Sequence, residues 1–421
     1  MGVGATVGAG IFSTISNVAG TAGNSLFLVI AFAVATLIQI PGSFVYAELA
    51  SAYPEDGGHY VYFREAGFKV LTFIIGWLTF LALDAPGMSL MALAIINYLG
   101  HLFPVNPLIL KLIVIAIVIS FALMHIRSVK RGATFQAVLT FIKIIPFVLI
   151  IGVGLFFINP DLLFSTTPIA DTSQSYIGTN PMLALLAAIS LSVFSCDGMF
   201  AGCYVSGEIK NPNKTLPKGL VLSALIVMLI YVLLTTVASG LMPVDELASS
   251  KAPIADMAAK LPFIGSYAGP FIDVVAIIVI LGTISSCMLY MPRFEFAMAR
   301  DGLFFPVFSK VHKKFKTPYR AITIFMLYVV FLICFQNIES LLGSVSIIIL
   351  LKNALTYFTI FLLRRKSNYN PSYKAPGNWL MPVISFSVTT FLLVFAIATA
   401  TLQQILFNVV IIAIGVVAYY I

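Results

Sequence analysis

Charge is what this sequence has least of. Asp, Glu, Lys and Arg make up 10% of its 421 residues, against 60% hydrophobic, and the mean hydropathy is +1.04. Soluble domains carry about 25% charged residues, so a water-soluble globular reading fails at the outset. Cysteine is scarce too. Cys196, Cys203, Cys287 and Cys334 sit in or beside apolar runs, with no CxxC pair and no histidine at metal-ligand spacing, which argues against a disulfide framework and a zinc site. The four histidines, His59, His101, His125 and His312, are scattered near the ends of runs. None forms a catalytic pair, and none is placed to activate Ser195 or Cys196 in an intramembrane hydrolase. The absence of a GxxxxGK[ST] loop argues against an ATP-driven pump. The first segment is glycine-rich and lacks the basic stretch of a cleavable signal peptide; Met1 is followed at once by apolar residues, an arrangement expected if the first helix is truncated. No enzyme, no metal and no cofactor is expected.

What the sequence has in abundance is long apolar runs. A crossing takes about 20 apolar residues, and twelve runs qualify, at 1–20, 25–50, 70–99, 107–126, 134–158, 181–207, 218–240, 267–291, 320–336, 341–363, 379–398 and 403–421. The expectation is an all-α membrane protein of twelve transmembrane helices, forming one polytopic domain over 1–421. Its formal charge of +8 does not point to nucleic acid, because the charges lie almost wholly between the runs. Of the 24 Lys and Arg residues, 19 fall on alternate connections, and only Lys111, Lys251 and Lys260 on the others. By the positive-inside rule the N-terminus is cytoplasmic. The basic cluster Lys310, Lys313, Lys314 and Lys316 either sets this topology or also meets anionic lipid heads. The outer stretches 159–180 and 242–266 are expected to form loops or short helices at a vestibule.

Two runs break the pattern in corresponding places. The first carries Gly2, Gly4, Gly8 and Gly10; the sixth carries Phe194-Ser195-Cys196-Asp197-Gly198 and then Gly202 and Gly207. Each glycine weakens a helix by about 1 kcal/mol relative to alanine, and an acid at bilayer depth costs about 2.5 to 3.5 kcal/mol. Small residues let helices approach closely, which is one explanation. The other is that the interruptions open two five-helix repeats, whose odd length forces inverted topology and brings the breaks together near the midplane. A break bares N–H groups at the start of one half-helix and C=O groups at the end of the other. The first suit a carboxylate and the second an ammonium, and an α-amino acid has both.

At these residues the sequence resembles the amino acid, polyamine and organocation transporter superfamily. Gly8-Ala9-Gly10-Ile11-Phe12 is similar to its first-helix signature. Glu48 to Tyr60 resembles the family's loop after helix two, Gly207-Glu208-Ile209-Lys210-Asn211-Pro212 with Leu216-Pro217 the loop after helix six, and Ala299-Arg300-Asp301-Gly302 with Thr317-Pro318 the loop after helix eight. Within the superfamily the sixth run looks most like bacterial members of the L-amino acid transporter family, such as alanine/serine/cysteine exchangers. Cys196 departs from that family's usual aromatic, and Met199-Phe200 from its Trp-polar pair.

The resemblance implies a LeuT-like 5+5 inverted repeat with helices one and six interrupted, repeat one at 1–158, repeat two at 181–363, and additional helices at 379–421. It implies substrate binding by Thr6, Ala9, Gly10, Phe194 and Asp197, unwinding at Gly8 and Gly198, and a gate formed by the Phe194 ring. The animal relatives hold a heavy-chain partner through a cysteine between helices three and four; the connection 100–110 has none, so no disulfide-linked partner is expected. Lys143 either snorkels to the interface or, as the resemblance implies, stands where sodium-coupled relatives hold their ion, with Gly4, Ala5, Thr283, Ser285 and Ser286 as neighbours. Asp197 either meets a cationic substrate or accepts bonds from local amides. Asp84 and Lys352 are single charges within runs.

The function implied is sodium-independent exchange of small neutral L-amino acids, with alanine, serine and cysteine as candidates and Phe194, Met199 and Phe200 narrowing the pocket. A proton-coupled symporter and a carrier of cationic amino acids or polyamines stand as alternatives. The setting implied is a bacterial-type plasma membrane, with lipid and the amino acid as partners and no nucleic acid.

Overall fold

The computed structural model describes residues 2–7, 9–127, 144–166, 180–204, 206–209, 211–261 and 268–420. Regular structure among them is helical. In chain order the main helices are α1 (Gly2–Thr6), α2 (Ala9–Ala22), α3 (Ser25–Ala52), α4 (His59–Ala66), α5 (Lys69–Leu78), α6 (Ala85–Leu102) and α7 (Pro107–Arg127). They are followed by α8 (Ile144–Phe157), α9 (Pro181–Cys196), α10 (Pro212–Leu241), α11 (Ala268–Arg300), α12 (Tyr319–Phe335), α13 (Ile338–Leu363), α14 (Leu380–Thr399) and α15 (Leu402–Tyr420).

Local chemistry sets the ends. Asn24 caps α3 by accepting from the Phe27 N–H at 2.8 Å, and Asn180 caps α9 by accepting from Met182, with Pro181 in the first turn, where a missing N–H costs nothing. Gly67, left-handed at φ 95°, ends α4. Polar residues inside the spans turn back on their own helix: Thr36, Ser192 and Thr235 each donate to the carbonyl four residues earlier. In hydrocarbon that is the economical way to satisfy a hydroxyl.

Among the described residues nine helices are long and apolar enough to span, or ten when the first run, whose parts Gly2–Phe12 and Thr14–Ala22 meet at 59°, counts as one. The expected runs at 134–158 and 320–336 appear as the shorter apolar helices α8 and α12, and residues 128–143 lie outside the described part. Packing distinguishes centre from rim. The window through Lys69–Leu102 is 94% buried, whereas that of α15 is 17% buried and faces outward. Helix α3 packs on α9 and α10, α9 also on α2, and α6 on α11 and α12.

Three features differ from the sequence expectation. The third run is not uniform, because α5 passes into α6 through a π-helical segment, Thr79–Asp84. The sixth run does not unwind at Gly198. At Asp197 it tightens from α to a 3-10 helix, Asp197–Tyr204, and the Asp197 N–H bonds the Phe194 carbonyl. This winding keeps backbone groups paired within the bundle. Finally, several glycines serve close packing. A Cβ on Gly10 would stand 2.8 Å from the Ser195 Cα, one on Gly198 2.9 Å from the Ala5 carbonyl carbon, and one on Gly2 2.7 Å from the Met199 oxygen.

The first helix and the sixth therefore cross antiparallel with backbone against backbone. Gly198→Ala and Gly10→Ala are each expected to cost about 1 to 3 kcal/mol through overpacking. Gly219→Ala, in α10 with nothing within 4 Å of its Cβ position, should be neutral or stabilising by up to about 1 kcal/mol. Thermal unfolding of the purified variants in detergent checks the contrast.

Candidate functional site

The crossing is tied by hydroxyls. The Tyr231 O–H, from α10, lies 2.7 Å from the Thr6 carbonyl and 3.0 Å from the Ser195 carbonyl, so one donor is shared by the two broken elements. Thr14 Oγ1 and Ser195 Oγ are 2.6 Å apart. Beside this knot lies a small cavity of about 40 Å3, lined by Thr6, Gly10, Asp84, Phe194, Asp197 and Gly198 together with Leu83, Met91, Tyr204, Tyr290 and Ile349.

The structure thus gathers Ala5, Thr6, Gly10, Phe194, Asp197 and Gly198 around one cavity. Ala9 and Gly10 form the start of α2, the end of a helix that favours an anion. Of the carbonyls expected to meet an ammonium, that of Thr6 already accepts from Tyr231 and that of Phe194 from the Asp197 N–H; each retains a second lone pair. Gly8 and Lys143 lie outside the described residues. Their expected neighbours on α11 are buried: Thr283 donates to the Val279 carbonyl, Ser285 pairs with His125 at 3.1 Å, and the Ser286 hydroxyl has no hydrogen-bond partner among the described residues. Gly4 is buried in α1. Two expected walls move. Met199 and Phe200 do not line the cavity; Phe200 instead stacks on Tyr46 at 4.1 Å, because the 3-10 winding turns these residues away from it.

The Asp197 side chain finds a partner that neither sequence reading supplied. Lys352 Nζ, on α13, lies 2.8 and 2.7 Å from its two oxygens, and the Asn353 amide donates to it at 3.3 Å. Tyr46 in turn donates to Asn353 Oδ1 at 3.0 Å. Lys352 is 3% exposed. An isolated lysine and an isolated aspartate, 155 residues apart in sequence, give no local sign of pairing. Glu295, fully buried with neither oxygen bonded among the described residues, was likewise unmarked in the sequence.

The two ends of the bundle differ. A vestibule of about 510 Å3, lined by Phe12, Asn17, Asn97, Lys111, Lys251 and Asn337, adjoins the cavity along α2 and α6, where Gly10 and Met91 face one and Phe12 and Leu93 the other. The Lys- and Arg-rich end is tied shut. Arg364 holds the fully buried Glu48 through two bonds of 2.8 and 2.6 Å, and Ala375 N–H and the Tyr369 hydroxyl complete the carboxylate's shell. Arg64 bridges Glu55 and Asp301, and Tyr60 donates to Asp301. Burial pushes the Asp301 carboxyl up, but bonds from Tyr60 and Arg64 outweigh it and hold the group below the ordinary carboxylate value.

The family-like loops meet at this end. Gly57 and Gly58, both at positive φ, donate to the Tyr204 and Cys203 carbonyls that end the 3-10 helix. Asp56 accepts from the Gly207 N–H, and Thr317 donates to the Ile126 carbonyl at 2.6 Å.

Breaking a buried ion pair by removing one partner costs about 3 to 5 kcal/mol, while replacing both members is far milder. Asp197→Asn is therefore expected to lower the unfolding temperature sharply. Adding Lys352→Met should recover most of the loss, as read by thermal unfolding in detergent.

Comparison with known proteins agrees with this architecture. The amino acid permease family model matches residues 1–419. Among curated proteins of Bacillus subtilis (strain 168), the serine/threonine exchanger SteT is 27% identical over 404 residues, covering 95% of this chain and 90% of that protein. A methylthioribose transporter is 28% identical, covering 92% and 84%, and the branched-chain amino acid permease BcaP 27%, covering 93% and 85%. The chain is an integral membrane protein that belongs to the amino acid permease family of the amino acid, polyamine and organocation transporter superfamily.

Proposed function

We propose that this permease is a sodium-independent exchanger of small neutral L-amino acids, working by alternating access in a bacterial-type plasma membrane. One observation carries the reading. A cavity between the break of α1 and α2 and the α-to-3-10 junction at Asp197 offers a helix start on one side and backbone carbonyls on the other. Those are the complements of a carboxylate and an ammonium on one carbon. The substrate carboxylate meets the amides at Ala9 and Gly10, the ammonium meets carbonyls of Thr6, Phe194 and Asp197, and the Phe194 ring closes over them. Exchange of an amino acid is also what the name of one relative, the serine/threonine exchanger, states of that protein.

The proposal includes twelve spans arranged as a LeuT-like 5+5 inverted repeat, with 1–158 and 181–363 as the repeats, further helices at 379–421 and a cytoplasmic N-terminus. The bent first run over Gly2–Phe12 and Thr14–Ala22, the nine long helices, and α8 and α12 are together consistent with that number. The charge split places the tied, basic end in the cytoplasm, so the structure is closed there and more open at the opposite vestibule. Alternating access then requires the Glu48–Arg364 and Arg64–Asp301 ties to part as the inner side opens. Lys143 is proposed to stand in for a coupling cation.

Proton-coupled symport shares the same cavity. The alternative of a cationic substrate bound by Asp197 is weakened by Lys352, which already neutralises that carboxylate.

Reconstitution into liposomes tests the reading. Labelled alanine or serine should enter vesicles loaded with unlabelled amino acid at least about tenfold faster than empty ones, with no dependence on sodium; equal uptake by empty vesicles under an inward proton gradient would establish symport instead. Lys143→Ala is expected to cut exchange by well over half at equal reconstitution, and full activity would remove that residue from the mechanism.

A further inference from the structure

Besides Asp197, whose carboxylate Lys352 pairs, the cavity wall carries a second acid that the amino acid backbone does not use. Asp84 lines it beside Gly87 and Phe194, is 3% exposed, and has no hydrogen-bond partner for its Oδ2 among the described residues. It sits near the middle of the Lys69–Leu102 span, at the last position of the π-helical segment Thr79–Asp84. Such turns insert an extra residue into the helical register and recur at functional sites. Lys352 and Asp197 both act on Asp84 electrostatically, but the Lys352 ammonium is already engaged by both oxygens of Asp197. Of the other walls, Leu83, Met91 and Ile349 offer no donor, and the Tyr204 and Tyr290 hydroxyls, though near enough to act on Asp84 electrostatically, are not hydrogen-bonded to its Oδ2.

A carboxylate at this depth is costly, and one left without a partner in a closed site penalises every ligand that fails to supply a donor. A site built around a polar group rejects the analogue lacking the matching group far more strongly than an apolar pocket rejects an extra one. The helix start at Ala9–Gly10 and the carbonyls around the break serve the carboxylate and ammonium common to all α-amino acids. Asp84 is left for what distinguishes one amino acid from another.

We propose that Asp84 is the specificity-determining residue of this cavity: it accepts a hydrogen bond from the substrate side chain, so the carrier favours amino acids whose side chains end in an O–H or N–H donor over those ending in a methyl group. The inference rests on the reading of the cavity as an amino acid site and narrows it, placing serine and threonine ahead of alanine. A hydroxyl and an ammonium share the required chemistry, and the assay separates them.

The test uses the full-length carrier in liposomes, with competition against labelled substrate by serine, threonine, lysine, alanine and 2-aminobutyrate, the last having a methyl where serine has its hydroxyl. Wild type should prefer serine over 2-aminobutyrate by at least about tenfold in kcat/KM, and Asp84→Leu should bring that ratio close to one. Asp84→Asn, whose amide oxygen still accepts, should keep the hydroxyl preference. If an ammonium is the preferred donor, lysine outcompetes serine in wild type, and Asp84→Asn loses that advantage. A ratio is insensitive to general loss of folded carrier, which lowers all substrates together. Equal competition by serine, lysine and 2-aminobutyrate in wild type overturns the inference without any variant. So does an unchanged ratio in Asp84→Leu, including the case in which both variants abolish stimulation by a proton gradient, which would make Asp84 a proton carrier. Failure of wild type to transport any amino acid would instead defeat the broader reading of the cavity.

Discussion

The crossing of the first helix and the sixth is the contact on which the rest of the molecule depends. Gly10 meets the backbone of Ser195 and Gly198 meets the backbone of Ala5 at separations that leave no room for a Cβ. A helix broken in hydrocarbon must have its freed carbonyls paired by neighbouring protein. Here the Tyr231 hydroxyl does this for both elements at once, bonding Thr6 and Ser195, while the 3-10 winding from Asp197 to Tyr204 keeps the sixth helix internally bonded. The cavity lies where these two backbones, pinned to each other, face the π-helical segment, α6, α11 and α13.

Charge in the membrane follows the same rule of mutual satisfaction. Lys352 and Asp197 are tolerable at depth because each answers the other, with Asn353 and Tyr46 extending the network. Glu48 is tolerable because Arg364, Tyr369 and the Ala375 N–H surround it. Asp84 breaks the rule, and it does so on the wall of the cavity. The asymmetry of the two ends has the same origin. One end is laced by charge-assisted bonds among Arg64, Glu55, Asp301, Arg364 and Glu48, whereas the other presents lysines and amides around an open vestibule. Charge-assisted bonds are about twice as strong as neutral ones, yet those at the solvent edge are weak enough to break and re-form.

Several expectations were legible because they depend on local pattern. The helices around 25–50, 107–126 and 379–398 follow from apolar length alone, and the structure places them at Ser25–Ala52, Pro107–Arg127 and Leu380–Thr399. The break in the first helix was marked by its glycines. The sixth was marked as well, but glycine and aspartate announce only that an ordinary α-helix is disfavoured, not whether the chain opens or tightens. Tertiary contact with Ala5 goes with the tighter winding at Gly198. Met199 and Phe200 were misplaced for the same reason, since a 3-10 helix turns through three residues where an α-helix takes 3.6.

Composition and periodicity determined that this chain lives in lipid, where its helices run, which connections are basic and where two helices are interrupted. All of these are set by hydrophobic transfer and by backbone preference over a few neighbouring residues. Only the tertiary structure decided that Lys352 answers Asp197, that Tyr231 ties the two breaks together, that the family-like loops meet around the end of the 3-10 helix, and that Asp84 faces a cavity with an oxygen to spare. Each of these joins residues tens to hundreds of positions apart. Pairing at that separation is governed by how helices pack, about which a local run of amino acids carries no information.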